Sequence, residues 1–359
     1  MTHEDAFEDE TGAADDEQTL AGSAGNETDG DAADVEDPPV ALGVKLGSAW
    51  TVVSHPDGED PDGETIEEVT SVPRTRTGQP GLTSGLPANE ASAANAREFL
   101  DGLAAANDVP DDGVVVYAIP TTEDETGLAN LREIVEESAL GGRTVRSYPE
   151  SLCSALPAFG DDLEAIEQTF VAVNMGATHL TTSIYRQGEQ LAPFTTDAAT
   201  GDDVDRRIAD GIRIETNEMV DLDVETAREY KERLADYERD VFEPETFEGA
   251  DDEEYEVALG RSVMNAVDRY LAAAVDELAN TFFPRVANDH MRLYNEALDS
   301  PIVLTGGMAA VPGIETEFAE RLSESFGRDV RVTKPADPKR AAAVGAERLA
   351  ERLASLQTA

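Results

Sequence analysis

Positive charge is what this 359-residue chain has least of: 27 Lys and Arg stand against 76 Asp and Glu, for a net charge of −49 and a sequence pI near 4.1. A surface this negative lacks the basic stripes that release counterions from nucleic acid, so direct nucleic-acid binding is not expected and any link to DNA needs an adaptor protein. The acidic excess runs through the whole chain. At ordinary ionic strength such a surface repels itself, whereas at about 1 M salt the Debye length falls to about 3 Å and the repulsion is nearly screened. The composition therefore suits a cytoplasm of multimolar salt. Cysteine is almost missing as well. Cys153 is the single one, which excludes an intrachain disulfide framework, fits a reducing cytosol and predicts a buried structural thiol. No basic stretch with an apolar core opens the chain and no apolar run reaches about 18 residues, so neither secretion nor a membrane span is expected and the protein is read as cytoplasmic.

Apolar residues make up 40% of the chain, enough for two cores, since domains commonly hold about 100 to 200 residues. Residues 1–38 contain no Lys or Arg and few apolar side chains, and so predict a disordered acidic tail that cannot offset its ordering entropy. From Val40 the texture changes. Apolar and β-branched residues at Val40 to Leu46 and Trp50 to Val53 flank a Gly-bearing turn, which predicts a β-hairpin. The Gly-, Pro-, Asp- and Thr-rich residues 54–88 predict loop with short edge strands, and 89–107 an Ala-rich helix. Together they suggest a small inserted subdomain over 54–110.

Val114 to Pro120 predicts a strand and Glu123 to Leu140 an amphipathic helix with Leu128, Leu131, Ile134 and Val135 on one stripe. A strand at Thr144 to Ser147, a helical segment over Pro149 to Phe159 and an acidic turn at Asp161 and Asp162 follow. From Phe170 the opening pattern returns: an apolar strand, a Gly-bearing turn at Gly176, and a β-branched strand through Tyr185. This recurrence at about half the folded chain implies two related lobes. Residues 200–248 predict mainly helix, Val263 to Phe283 a core-facing helix, Pro301 to Leu304 a strand, Pro312 to Phe326 a helix opened by proline, Val330 to Val332 a strand and Arg340 to Leu356 a final helix.

A turn containing Gly lets backbone N–H groups approach an anion closely. Two such turns, Gly47-Ser48 and Gly176-Ala177-Thr178, can pinch a polyphosphate from both sides of a cleft, and a third, Gly306-Gly307, can pack against a base or ribose. In order and spacing, LGVKLGSAWTVV, FVAVNMGATHLTTSIY and PIVLTGGMAAVPGI resemble the first phosphate, second phosphate and adenosine motifs of the actin, sugar kinase and heat-shock chaperone ATPase superfamily. VVVYAIP with its following helix is similar to the strand before the first connecting helix of MreB-type bacterial actins. TTDAATGDDVDRRIADGI resembles their glycine-acid segment, AREYKERLADY the actin helix whose Lys and Glu reach the nucleotide, and KPADPKRAAAVGAERL the terminal stretch. Given the acidity, the chain most resembles the salactin and volactin type of actin homologue from salt-loving archaea.

The resemblance implies an α/β, two-lobed actin-like (ribonuclease H-like) fold with a nucleotide cleft between the lobes. The first lobe would span 39–168, completed by 335–359, and the second 169–334, with a small helical subdomain over 203–262. It implies ATP and Mg2+ as cofactors, held by Lys45, Gly47, Ser48 and Ala49 in the first turn and by Asn174, Gly176, Ala177 and Thr178 in the second. Gly201, Lys231, Glu232, Gly306, Gly307 and Met308 complete the set. Two positions depart from the family pattern. Lys45 and Asn174 stand where relatives place metal-directing aspartates, so Asn174 would hold a metal only through water and magnesium binding would be weakened. Lys45 either contacts phosphate oxygens directly or pairs with a nearby acid.

For hydrolysis, a water must be aligned with the γ-phosphorus, and Glu150 is the candidate to position it. His179 is the second catalytic candidate, with hydroxyls from Thr178 and Thr181 beside it. The function implied is a cytoskeletal ATPase that assembles with itself into dynamic filaments, hydrolyses ATP slowly and serves cell shape or intracellular partitioning. A non-hydrolysing scaffold with a degenerate nucleotide site is the alternative. So is a small-molecule kinase, which would need a catalytic carboxylate after Thr181, where none is found.

Overall fold

The computed structural model describes residues 40–47, 50–57, 60–70, 82–83, 86–87, 90–106, 113–121, 125–141, 144–160, 166–240 and 244–357. The expected tail, the turn residues Ser48 and Ala49, and the acidic turn at Asp161 and Asp162 lie outside them. The first half runs β1 (Val40–Leu46), β2 (Trp50–Asp57), β3 (Asp60–Thr70), a short pair β4 (Leu82–Thr83) and β5 (Leu86–Pro87), α1 (Glu90–Ala106), β6 (Gly113–Ile119), α2 (Glu125–Glu137), β7 (Thr144–Pro149) and α3 (Glu150–Ala155), the last extended by a 3-10 turn at Leu156–Phe159. The second half runs β8 (Phe170–Met175), β9 (Leu180–Arg186), β10 (Glu189–Thr196), α4 (Gly201–Glu215), α5 (Val224–Leu234), β11 (Glu245–Glu248), β12 (Glu254–Val257) and α6 (Leu259–Asp276). A π-helical segment Glu277–Phe282 then leads into α7 (Phe283–Asp289), α8 (Met291–Asp299), β13 (Ile302–Thr305), a 3-10 turn Gly307–Ala310, α9 (Ile314–Phe326), β14 (Val332–Thr333) and α10 (Ala341–Gln357).

The two halves build the same sheet twice. Strand order is β3-β2-β1-β6-β7 in one and β10-β9-β8-β13-β14 in the other, each with two antiparallel pairings followed by two parallel ones. β1 and β8 hold the equivalent central place. Central strands flanked by crossover helices are buried on both faces, and β6 and β8 accordingly read as near-continuous apolar runs. Local signals set several boundaries. Thr200 Oγ1 accepts from Asp203 N at 3.1 Å to open α4, and Asp223 does the same for α5 through Thr226 N at 2.9 Å. Gly327, at φ +62°, closes α9.

Three apolar clusters hold these layers. One lies between the first sheet and α1 and α2, and a larger one packs the second sheet against α4 to α9. The third lies between the sheets, where α3 and α10 place Leu152, Cys153, Ala346 and Ala350 against Val114 and Val116 on one side and Phe170 and Val303 on the other. Glycine allows that packing. A Cβ at Gly345 would sit 1.9 Å from the Cys153 carbonyl oxygen, and one at Gly43 would sit 2.0 Å from that of Ala343. Cys153 is fully buried, as its isolation in the sequence suggests.

Several elements differ from expectation. The residues read as loop after β2 form the 11-residue β3, paired with β2 along its length; strand pairing overrides the weak propensity of its Asp, Gly and Glu. β10 is unexpected because Ala192 at φ +48° interrupts its alternation at a bulge. β11 and β12 replace helix at 245–257, and α8 adds a helix. α9 begins at Ile314, since Gly313 at φ +74° turns the chain after Pro312, and β14 lies two residues beyond the expected start. Among the described residues, no helix is long and apolar enough to cross a membrane.

Gly345→Ala is expected to destabilise the protein by about 2 to 3 kcal/mol through overpacking against backbone. Gly102→Ala, with nothing within 4 Å of the new methyl in α1, should stabilise by about 0.5 to 1 kcal/mol. Urea unfolding in molar KCl measures both, and a smaller loss at Gly345 than at exposed helix sites would refute the close crossing.

Candidate functional site

The second glycine turn is closed by Gly176 N donating to His179 O at 3.0 Å. α4 docks its first residues on this turn: Gly201 N donates to Gly176 O at 3.0 Å and Asp202 N to Ala177 O at 2.9 Å. A side chain at Gly201 would press on Ala177 Cα and Gly176 O at 3.3 Å. The third turn meets the second directly. Gly306, at φ +87°, would place a Cβ 2.4 Å from Asn174 Oδ1 and 2.6 Å from Met175 O, a conformation and a contact that only glycine permits. Its own N–H donates to Pro338 O at 3.0 Å, which binds the loop before α10 to the same place.

Beside these turns lies a cavity of about 230 Å³. Gly176, Ala177, Gly201, Gly307 and Met308 line it, with Lys231 and Glu232 from α5 and the apolar Ala310, Val311 and Pro312 opposite. Arg228 and Lys339 also line it, and the sequence reading did not single them out. Arg228 stands three residues before Lys231 on α5, and helical spacing was the signal that it shares the same face. Behind both is Asp205, fully buried on α4, with Lys231 Nζ at 2.5 Å and Arg228 Nε at 3.0 Å. Arg228 also reaches Asp202 at 3.0 Å. Burial pulls its guanidinium pKa down, but the carboxylates of Asp205 and Asp202 outweigh that and hold it above the ordinary arginine value.

Lys45, Asn174 and Glu150 form a second cluster at the ends of β1 and β8. The Lys45 ammonium lies 3.7 Å from Glu150 Oε1 at the start of α3, and Asn174 Nδ2 donates to the same oxygen at 2.9 Å. Of the two roles left open for Lys45, pairing with an acid is the one this geometry contains. Gly47 is buried just beyond. His179 Nδ1 lies 3.0 Å from Thr178 Oγ1; burial lowers its pKa, only partly countered by Asp197, which favours the neutral ring.

Lysine is confined to this region. The chain has four, Lys45, Lys231, Lys334 and Lys339, against 23 arginines. Lys231 and Lys339 line the cavity, Lys334 donates to the carbonyl of the lining residue Val311 at 3.3 Å, and Lys45 sits in the adjoining cluster. Glycine turns that leave room beside the backbone, the ammonium groups of Lys231 and Lys339, the Arg228 guanidinium and an apolar wall can hold a polyphosphate with its ring system. A divalent cation fits less well. Among the described residues no group of three His, Cys, Asp or Glu is arranged to ligate one, and Glu150 is already engaged by Lys45 and Asn174.

Comparison with known proteins agrees with this architecture. The salactin family model matches residues 75–354. Salactin of Halobacterium salinarum is 46% identical over 347 residues, covering 90% of this chain and 95% of that protein. Among solved structures, the MamK double helical filament is similar at a TM-score of 0.65 and 20% identity, covering 87% of this chain and 98% of that one. MreB5 of Spiroplasma citri bound to ADP is similar at a TM-score of 0.62 and 17% identity, covering 89% and 97%. The two-sheet fold is therefore actin-like.

Asp205→Asn removes the charge that Lys231 and Arg228 share while keeping its volume. The uncompensated cations are expected to cost about 3 kcal/mol of stability, read as a lower urea midpoint with an unchanged m-value; a loss under about 0.5 kcal/mol would mean that the pairs are solvated.

Proposed function

The chain belongs to the salactin family, and from that premise we propose that it binds ATP between its two halves and assembles with itself into filaments, with slow hydrolysis of the bound nucleotide. The observation that carries this reading is the meeting of the second and third glycine turns around a lysine-lined cavity. Support also comes from structural neighbours of the same fold, one a double helical filament and another bound to ADP.

In this reading residues 39–168 with 335–359 form one lobe and 169–334 the other. Backbone N–H groups of the turns at Gly47 and Gly176 face the phosphates, Lys231 and Glu232 the ribose side, and Gly306, Gly307 and Met308 the base. ATP supplies a phosphoanhydride whose state differs before and after hydrolysis. Glu150 holds the attacking water, with neutral His179 as an accessory acceptor. Ligand that contacts both lobes biases their rotation, and head-to-tail contacts read that rotation. Shape and apolar matching would carry those contacts in a salt-rich cytoplasm, where surface pairs are screened. Cell shape or partitioning of cargo through adaptor proteins is the role proposed.

A second reading, a scaffold that binds nucleotide without hydrolysing it, is favoured by one observation: the Glu150 carboxylate is taken up by Lys45 and Asn174. Sedimentation and phosphate release separate the two. In molar KCl, ATP should increase the pelleted fraction over nucleotide-free protein, and equal pelleting would count against nucleotide-driven assembly. Glu150→Ala should lower phosphate release about 10²-fold or more while leaving polymer; an unchanged rate assigns the water to another group.

A further inference from the structure

The cluster of Lys45, Asn174 and Glu150 contains an internal cation and a carboxylate that is already engaged. Lys45 enters from the first sheet, Asn174 from the second, and both converge on Glu150 Oε1, at 3.7 and 2.9 Å. Lys45 and Glu150 are mostly buried, with side-chain exposures of 18% and 16%. Asn174 is already committed at Nδ2, which it donates to Glu150, and its Oδ1 faces Gly306, where an added Cβ would lie 2.4 Å away. A divalent ion entering here would meet an ammonium group head-on, and its one available carboxylate would have to abandon that ammonium first. The metal that this fold commonly implies does not fit these residues.

We propose that this cleft binds nucleoside triphosphate without a divalent cation, the Lys45 ammonium neutralising the phosphates in its place. The inference rests on the nucleotide reading of the same site and adds the identity of the counterion. Two observations lead to it independently. The first is the pairing just described, in which Glu150 holds the Lys45 ammonium at 3.7 Å and releases it toward phosphate oxygens as they arrive. An ammonium donates three charge-assisted hydrogen bonds and needs no coordination shell. The second is the distribution of lysine. In a chain of net charge −49 with four lysines, Lys231 and Lys339 line the cavity and Lys45 lies in the adjoining cluster, while the 23 other basic residues are arginine.

Lys45 is thus a positioning and neutralising residue in this scheme, and metal dependence is the property that separates it from a merely structural lysine. The test is ATP binding to the full chain by calorimetry in molar KCl, with either magnesium or a chelator present. Wild-type affinity is expected to agree within about threefold between the two conditions. Lys45→Gln should weaken binding in chelator by about 10- to 100-fold, the loss of a charge-assisted contact, and Lys45→Arg should retain binding in chelator. Lys45→Asp combined with Asn174→Asp should bind with magnesium only, which also shows that the doubly substituted protein is folded. Loss of wild-type binding by tenfold or more on chelation overturns the inference and leaves the nucleotide reading standing. So does a Lys45→Gln variant that binds as wild type in chelator. Absence of binding in both conditions removes the nucleotide reading itself, and this inference with it.

Discussion

The crossing of α3 over α10, at the point where Gly345 lies against the Cys153 carbonyl, is the contact on which the remaining geometry depends. Both helices are shared property. α10 lies on β1 through Gly43, and Ser54 from β2 donates to the buried Glu347 carboxylate on α10. α3 is tied to the second sheet by Ser151 Oγ to Tyr185 OH at 2.8 Å and Ser154 Oγ to Thr305 Oγ1 at 3.0 Å. Two duplicated sheets thus lean on one helical pair, and the cluster packed between them has no core of its own without both. The ends of β1, β8 and β13, where the glycine turns sit, are aligned by that pair. Glu150 is the first residue of α3, so the same crossing aims its carboxylate. Packing there is close to backbone, and close-packed contacts of this kind switch between arrangements rather than deform continuously.

Charge is organised by depth. On exposed helices, arginines pair with acids at helical spacing, as Arg207 does with Asp203 and Arg213 with Asp210, and such pairs contribute at most about 1 kcal/mol and less as salt rises. Around the cleft the partners are buried. Asp205 is fully enclosed between Lys231 and Arg228, and Lys45 and Glu150 face each other largely shielded from solvent. High salt therefore erases the first kind of interaction and spares the second. An acidic chain in a salt-rich solvent keeps local electrostatics best where water is partly excluded, and its four lysines are all partly shielded from solvent.

Much of this was legible in the residues. The duplicated strand-turn-strand pattern announced two equivalent sheets, and glycines at 176 and 306 marked turns that the fold contains. Lys231 and Glu232 could be placed by the motif around them, and both line the cavity. What escaped was set by partners distant in sequence. β3 is a strand because β2 supplies its hydrogen bonds, in spite of its composition. β11 and β12 are acidic strands whose alternation is half-exposed, and charge there reads as helix surface. Asp205 looked like one of many acids in a charged helix; its burial follows from Arg228 and Lys231 on a helix more than twenty residues later. The exposed face of the cleft was read better than its supporting layer.

The departures at 45 and 174 gain meaning only together. Read singly, a lysine and an asparagine in place of two carboxylates look like decay of a metal site. In space they form one junction, with the first sheet, the second sheet and the crossing helix each giving one side chain. A ligand can rotate two bodies against each other only by the difference in its free energy of interaction with the two arrangements. Any anion that draws Lys45 from Glu150 weakens a bond between the first sheet and the crossing helix while Asn174 still holds that helix to the second. The exchange is therefore asymmetric across the cleft, and asymmetry of that kind is what converts occupancy into relative motion. In the proposed scheme, lysine at position 45 supplies from the chain itself the positive charge that a bound ion would otherwise bring.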